Sequence, residues 1–249
     1  MLKIEKTVLP SPEQWEIIVE GMRNPMNSWD KMDSYPAVDC GKCGKIEREG
    51  ICKKEDRNCR GFECLAIGEN DHFLMMLLAN GGAVHAKYRR MIPVFVTINA
   101  PLYWWKEFDT YKVGTVCNSC STMHKIHSKE FTLDDFSCEH LIGNKGGVDS
   151  WWHDEDFNEY WSAEDVLVQT LYVMNFYRKK FLETKNKIYW WQMIQLLPTS
   201  YNQKRTVMLN YEVLVNIYHS RKDHKLDEWH TFCDWIRGLP YSELIVGDC

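Results

Sequence analysis

The stretch LPTSYNQKRTVMLNYEVLVNIYHSRKDHKLDEWHTF, Leu197 to Phe232, carries the most organised pattern in the chain. Its apolar spacing predicts a helix over roughly 204–221 and another over 224–237, the second ended by Gly238 and Pro240. Counted at about 100° per residue from Asn210, the side chains of Val207, Val213, Leu214, Ile217 and Tyr218 share a face centred near about 10°. Asn210 at the origin and Arg221 at about 20° stand in the middle of that face. An amide buried without a partner costs about 1–3 kcal/mol and a charge more, so both side chains need partners. Along the helix axis they lie about 16 Å apart, far enough to touch two ligands in one cleft. The plainer alternative has Arg221 snorkelling from the helix end to a carboxylate, with Asn210 bonded to a neighbouring loop.

Upstream, Ile92, Val94, Val96 and Ile98 alternate, which predicts a strand over 91–98. Ala100-Pro101 opens a segment, Leu102 to Lys112, that lacks alternation and suits a helix. Ser11-Pro12-Glu13-Gln14 has the form of a capping box ahead of an apolar stripe of Trp15, Ile18, Val19 and Met22. Asn70-Asp71 starts a helix with Phe73, Leu74, Leu77 and Leu78 on one side and Gly81-Gly82 at its end. Ser162 with Asp165 predicts a capped helix running to about Glu183. Residues 113–124 and 134–160 read as loops, and 23–64 as irregular, polar and cysteine-rich.

The 197–232 stretch resembles the C-terminal signature of the flavin-dependent thymidylate synthases: a Leu-Pro turn, a helix with Asn, Leu, Asn and Arg at fixed steps, then a Trp-Glu-type helix. Asn210, Leu214, Asn216 and Arg221 fall on those steps. A second match covers VFVTINAPLYWWKEFDTYKVGTVCNSCSTMH, Val94 to His124. There the family has a strand, an Ala-Pro or Ser-Arg opening, a helix carrying Gln, and the pattern Arg-His-Arg-x-x-Ser-x-Asn-x-x-Ser-x-Arg. In gap-free register from Ala100-Pro101, Glu107 stands for the Gln, and Thr110, Tyr111 and Lys112 for Arg-His-Arg. Thr115 stands for the first Ser, Cys117 for Asn, Asn118 for the usual Glu, Cys120 for the later Ser and Thr122 for the last Arg. The frame is kept while most of its charge is gone, with Lys112 as the remaining cation.

The resemblance implies an α/β (α+β) fold, a central, mostly antiparallel sheet flanked by long helices, as one domain over 1–249; the cysteine-rich stretch at about 38–66 reads as an insertion that the family does not generally carry. It implies a divergent, phage-type methyltransferase that converts deoxyuridylate to thymidylate using FAD, methylenetetrahydrofolate and NADPH, and that assembles as a homotetramer. The resemblance further implies that Arg221, Glu107, Asn118 and Cys120 serve the chemistry. Around the flavin it sets Asn210, Asn216, Lys112, Tyr111, Thr110 and Thr115. Folate-only thymidylate synthases use a Cys-His pair after Pro, and this chain has no Pro-Cys-His. Two alternatives stand beside this reading: a related pyrimidine-nucleotide modification such as hydroxymethylation, or a metal-stabilised binding protein that kept the fold.

Cys40, Cys43, Cys52, Cys59 and Cys64 fall within 25 residues. Cys40-x-x-Cys43-Gly forms a knuckle whose thiolates converge on one metal, and two of the other three would complete a tetrahedral zinc site or help hold an iron–sulfur cluster. Free thiols or a pair of disulfides are the plainer alternative. The net charge of −5 offers no global field for nucleic acid, and no run approaches the roughly 20 apolar residues that span a bilayer. The first 15 residues lack the apolar core of a signal peptide, so a cytoplasmic location with thiols kept reduced is expected. Gln203 carries no charge to offer a phosphate, Lys204 and Arg205 read as a solvated helix start, and His224 is offset by one residue from the family's C-terminal histidine.

Overall fold

Strict alternation along residues 92–100 builds the clearest strand: Ile92, Val94, Val96, Ile98 and Ala100 are all 0–1% exposed. The computed structural model describes residues 1–40, 45–48, 62–143 and 162–247. In chain order these form β1 (Lys3–Val8), α1 (Pro12–Arg23), β2 (Tyr35–Cys40), β3 (Lys45–Arg48), β4 (Phe62–Ala66) and α2 (Glu69–Asn80). Then come β5 (Pro93–Pro101), α3 (Leu102–Phe108), β6 (Val116–Ser119), α4 (Thr122–Lys125), α5 (Ala163–Thr184) and α6 (Lys187–Leu196). The chain ends with β7 (Asn202–Asn210), α7 (Tyr211–Arg221), α8 (Asp227–Arg237) and α9 (Glu243–Val246). One sheet has the order β1-β5-β7-β6, and a smaller one has β3-β2-β4 with both pairings antiparallel.

The described chain divides into two compact units. The first comprises Met1–Glu5, Thr97–Thr110 and Asn118–Thr206; the second comprises Lys6–Val96, Tyr111–Cys117 and Val207–Cys249. In the first, Leu167, Leu171 and Met174 of α5 and Met193 of α6 bury against Ile126, Phe131 and Phe136. Ser162 and Asp165 close the expected capping box over the 22 residues of α5. In the second, α8 buries Trp229, Phe232, Cys233 and Ile236, and α7 buries Tyr211, Leu214 and Ile217. Each buried aromatic or aliphatic side chain contributes about 1.5–3 kcal/mol. The Ser11 capping box on α1 forms as expected.

Several expectations need correction. The single helix over 204–221 is a strand followed by a helix: β7 runs to Asn210 and α7 begins at Tyr211. The interval 113–124 holds β6 and α4, while β1 and α6 had no counterpart in the sequence reading. In α2 the buried positions are Asp71, Leu74, Met75 and Ala79, whereas Phe73 and Leu77 are 70% and 57% exposed. Among the described residues no helix is long and apolar enough to cross a membrane.

Candidate functional site

In the second unit, Asn210 is the N-cap of α7, its Oδ1 accepting from the Val213 amide at 3.1 Å. It is therefore not a mid-face amide. With Oδ1 taken by the cap, the carboxamide Nδ2 lies beside Gly114. Gly114 has φ +79°, and a Cβ there would lie 3.0 Å from Val213 Cγ2 and 3.3 Å from Asn210 Nδ2. The positive φ strains any side chain there, and the close approach leaves little room for one. The turn that follows closes with the Thr115 amide donating to the Lys112 carbonyl at 3.3 Å.

Gly114, Thr115 and Asn210 line a cavity of about 430 Å³, walled by Met91, Pro93 and Met208 and reached by Arg90. The Thr115 hydroxyl is buried there without a hydrogen-bond partner. A buried hydroxyl left unsatisfied costs about 1–3 kcal/mol, which a bound acceptor or donor would offset. Two neutral hydrogen-bonding groups, flexible thioether walls and one cation make a site for a flat heterocycle carrying an anionic arm. The residues present thus fit a flavin. Arg90 was not singled out from sequence, and nothing in its local pattern distinguishes it from Arg89. Arg89 is 5% exposed, its Nη1 3.9 Å from Glu212 Oε2.

Arg221 ends α7, as expected, half-buried. Its Nε donates to the Tyr111 hydroxyl at 2.8 Å, and its guanidinium carbon lies 4.8 Å from the Trp229 ring and 5.6 Å from the Tyr111 ring. Tyr111 and Trp229 meet edge-on at 6.1 Å. Tyr111 is thus the side chain that orients the arginine, and cation–π contact holds the guanidinium plane. Lys112 and Asn216 are exposed. The ring nitrogen Nδ1 of His224 accepts from the Leu226 amide at 3.1 Å, shaping the turn into α8.

The remaining expected residues lie in the first unit. Glu107 is half-buried near the end of α3, and the Thr110 hydroxyl closes that helix by donating to the Glu107 carbonyl at 2.7 Å. Asn118 is exposed on β6, and Cys120 follows it, its amide bonded to the Lys204 carbonyl at 2.9 Å. The same unit holds a network that sequence reading missed. Arg205 Nη1 contacts Asp109 Oδ1 at 2.8 Å, its Nε donates to Gln203 Oε1 at 2.8 Å, and its guanidinium stacks 4.3 Å from the Trp105 ring. Gln203 Nε2 in turn donates to Thr122 Oγ1 at 2.8 Å and the Cys120 carbonyl at 3.2 Å. The supposed solvated helix start is a bonded strand.

Cys43, Cys52 and Cys59 lie outside the described residues, as does the side chain of Cys40. Cys64 sits on β4 opposite Ala37, while Cys40 pairs with Lys45. Three strand steps, about 10 Å, therefore separate Cys64 from the level of Cys40. Among the described residues no group of three or more His, Cys, Asp or Glu converges as a metal site.

No family model matches the chain, and no curated protein matches it in sequence. Solved structures match its fold. ThyX, the thymidylate synthase X of Helicobacter pylori crystallised with FAD and dUMP, is 14% identical with a TM-score of 0.57, over 98% of this chain and 96% of that one. The UMP/dUMP methylase PolB of Streptomyces cacaoi, bound with 5-Br dUMP, is 12% identical with a TM-score of 0.54, over 97% of this chain and 92% of that one. The chain has the fold of these enzymes along nearly its full length, as the resemblance implied.

Proposed function

We propose that the chain is a flavin-dependent enzyme that modifies a pyrimidine nucleotide, methylating deoxyuridylate at carbon 5 with methylenetetrahydrofolate and NADPH. The observation that carries this reading is the cavity at Asn210, where a buried, unpartnered Thr115 hydroxyl and the N-cap carboxamide share one lining with a cation, Arg90. Reduced flavin, when bound, supplies the hydride that completes the methyl group. Asn210 Nδ2 and Thr115 Oγ1 hydrogen-bond its polar edge. Arg90 provides charge that the Thr110-Tyr111-Lys112 segment has lost relative to the family, with Lys112 adding to it. Arg221, held by Tyr111 and Trp229, grips the nucleotide's phosphate as a pre-oriented fork. The resemblance assigns Glu107, Asn118 and Cys120 to the chemistry and Asn216 to the flavin. No side chain is needed as a nucleophile towards the pyrimidine; the protein orients flat reactants and excludes water.

A homotetramer fits this reading. On α5, Val166, Tyr172, Val173 and Phe176 are 55%, 75%, 42% and 54% exposed on one face of the helix. An apolar face of that size suits contact with another copy. The small, water-soluble reactants suit a cytoplasmic setting, and Cys40 with Cys43 remains the candidate core of a zinc or iron–sulfur site. The test is the visible spectrum of the purified protein together with release of the carbon-5 proton of deoxyuridylate. Flavin absorbance and proton release are expected; a colourless protein that leaves deoxyuridylate untouched would refute the proposal. Light scattering is expected to report an assembly that Tyr172→Glu with Phe176→Glu dissociates.

A further inference from the structure

Arg23, the last residue of α1, is 3% exposed and forms a buried ion pair, Nε to Asp71 Oδ1, at 2.5 Å. A guanidinium normally offers Nε and Nη2 together to both oxygens of a carboxylate. Here the second oxygen is taken: Asp71 Oδ2 accepts from the Asp33 amide at 3.0 Å, the Ser34 amide at 2.8 Å and the Ser34 hydroxyl at 2.6 Å. Arg23 Nη1 turns the other way, to the Ser28 carbonyl and hydroxyl, both at 3.2 Å. Nη2 is left buried with no hydrogen-bond partner.

Arg23 forms part of the wall of a cavity of about 420 Å³ within the second unit. Ser28, Lys31 and Asn70 supply the other polar groups of the lining, while Met26, Phe73 and Leu74 supply an apolar side. Phe73 is 70% exposed and Met26 46%, so this side opens to solvent with a large apolar area uncovered. We propose that this cavity is a second ligand site, separate from the one at Asn210, and that it takes a small organic carboxylate with an apolar body. One carboxylate oxygen meets the Lys31 ammonium, and the other accepts from Arg23 once the guanidinium turns its Nη2 edge to the lining, with the Asn70 carboxamide beside them. The body of the acid lies against Phe73, Leu74 and Met26. Charge selects a monoanion. Asp71 already neutralises Arg23, so Lys31 is the one uncompensated cation in the lining. A phosphate dianion would leave a negative charge unmatched close to the carboxylates of Asp71 and Asp33.

The test is fluorine NMR of para-fluorobenzoate titrated with the full chain, without flavin or nucleotide, so its outcome is independent of the pyrimidine reading. Saturable binding in the millimolar range or tighter is expected, with Lys31→Ala and Phe73→Ala each weakening it about three- to tenfold. Both positions are exposed, so these variants keep their thermal unfolding midpoint, whereas Arg23→Lys tests Nη2 directly if it folds. The neutral para-fluorobenzamide is expected to bind more weakly and inorganic phosphate not to displace the probe. Absence of saturable binding, equal binding of the amide, displacement by phosphate, or indifference to both surface variants would each overturn the assignment.

Discussion

Asn210 offers two groups that separate chemically: its Oδ1 caps α7 through the Val213 amide at 3.1 Å, and its Nδ2 lies beside Gly114, with which Asn210 lines the cavity. Asn210→Ala removes both. Loss of an N-cap costs about 1 kcal/mol, which in a chain of this size lowers the unfolding midpoint by about 2–4 °C. Asn210→Ser retains a capping oxygen and is expected to recover most of that loss, but it brings no amide donor. A neutral hydrogen bond is worth about 0.5–1.5 kcal/mol, so both variants should lose flavin affinity by about two- to twelvefold. Stability should therefore rank Asn and Ser above Ala, while affinity ranks Asn above Ser and Ala alike. Calorimetric unfolding measures the first order and quenching of flavin fluorescence the second. A serine variant that binds flavin as tightly as the parent removes Nδ2 from the ligand contacts, and an alanine variant of unchanged midpoint removes the cap.

Tyr111→Phe keeps the ring beside Arg221 and deletes the hydroxyl 2.8 Å from its Nε. Deoxyuridylate affinity by titration calorimetry should fall several-fold with little change in stability, because the arginine loses orientation rather than packing. Burial by itself would raise the Asp71 carboxyl, but hydrogen bonds from Ser34, Arg23 and the Ser34 and Asp33 amides prevail and hold it below the usual range. A depressed carboxyl contributes stability above its unfolded pKa of about 3.9 and loses it as pH falls through the lower folded value. Denaturant unfolding between pH 7 and 2 should thus show a steep acid limb for the parent. Asp71→Asn should be about 3–5 kcal/mol less stable at neutral pH, with a shallower limb. Arg205→Lys should destabilise nearly as much as Arg205→Ala, because a lysine cannot both stack on Trp105 and serve Gln203 and Asp109; equal stability of Lys and parent would show that charge alone matters there.

The strand over 92–100 and the capped ends of α1 and α5 were legible because each rests on a local rule: alternation of β-branched residues, or a hydroxyl three residues before its acidic or amide partner. β7 was not legible, and the reason is physical. Its buried positions are Gln203, Val207 and Leu209, with Arg205 half-buried, a period of two. Two of those four are polar, so the alternation is invisible to any count of apolar residues. Gln203 and Arg205 can occupy an inward-facing row because they bond each other, Asp109 and Thr122 and stack on Trp105. Those partners come from α3 and α4, distant in sequence. Reading Val207 as helical then moved Asn210 into the middle of a face that begins only at Tyr211. The error still found the residue, since an N-cap at a strand-to-helix junction and a polar residue on an apolar stripe share one property: a side chain whose hydrogen bonds are decided by what lies opposite. What no local rule could supply was the difference between Arg89 and Arg90. Neighbours in sequence, one lies buried with Glu212 nearby and the other lines the cavity, and only the turn through residues 86–91 sends them to different surroundings. If Arg90 is the cation that stands in for the lost Arg-His-Arg charge, Arg90→Ala should weaken flavin binding at least as much as Lys112→Ala, and raising the salt concentration should narrow the gap between each variant and the parent. A larger effect at Lys112 would return the missing charge to the segment where the sequence first located its loss.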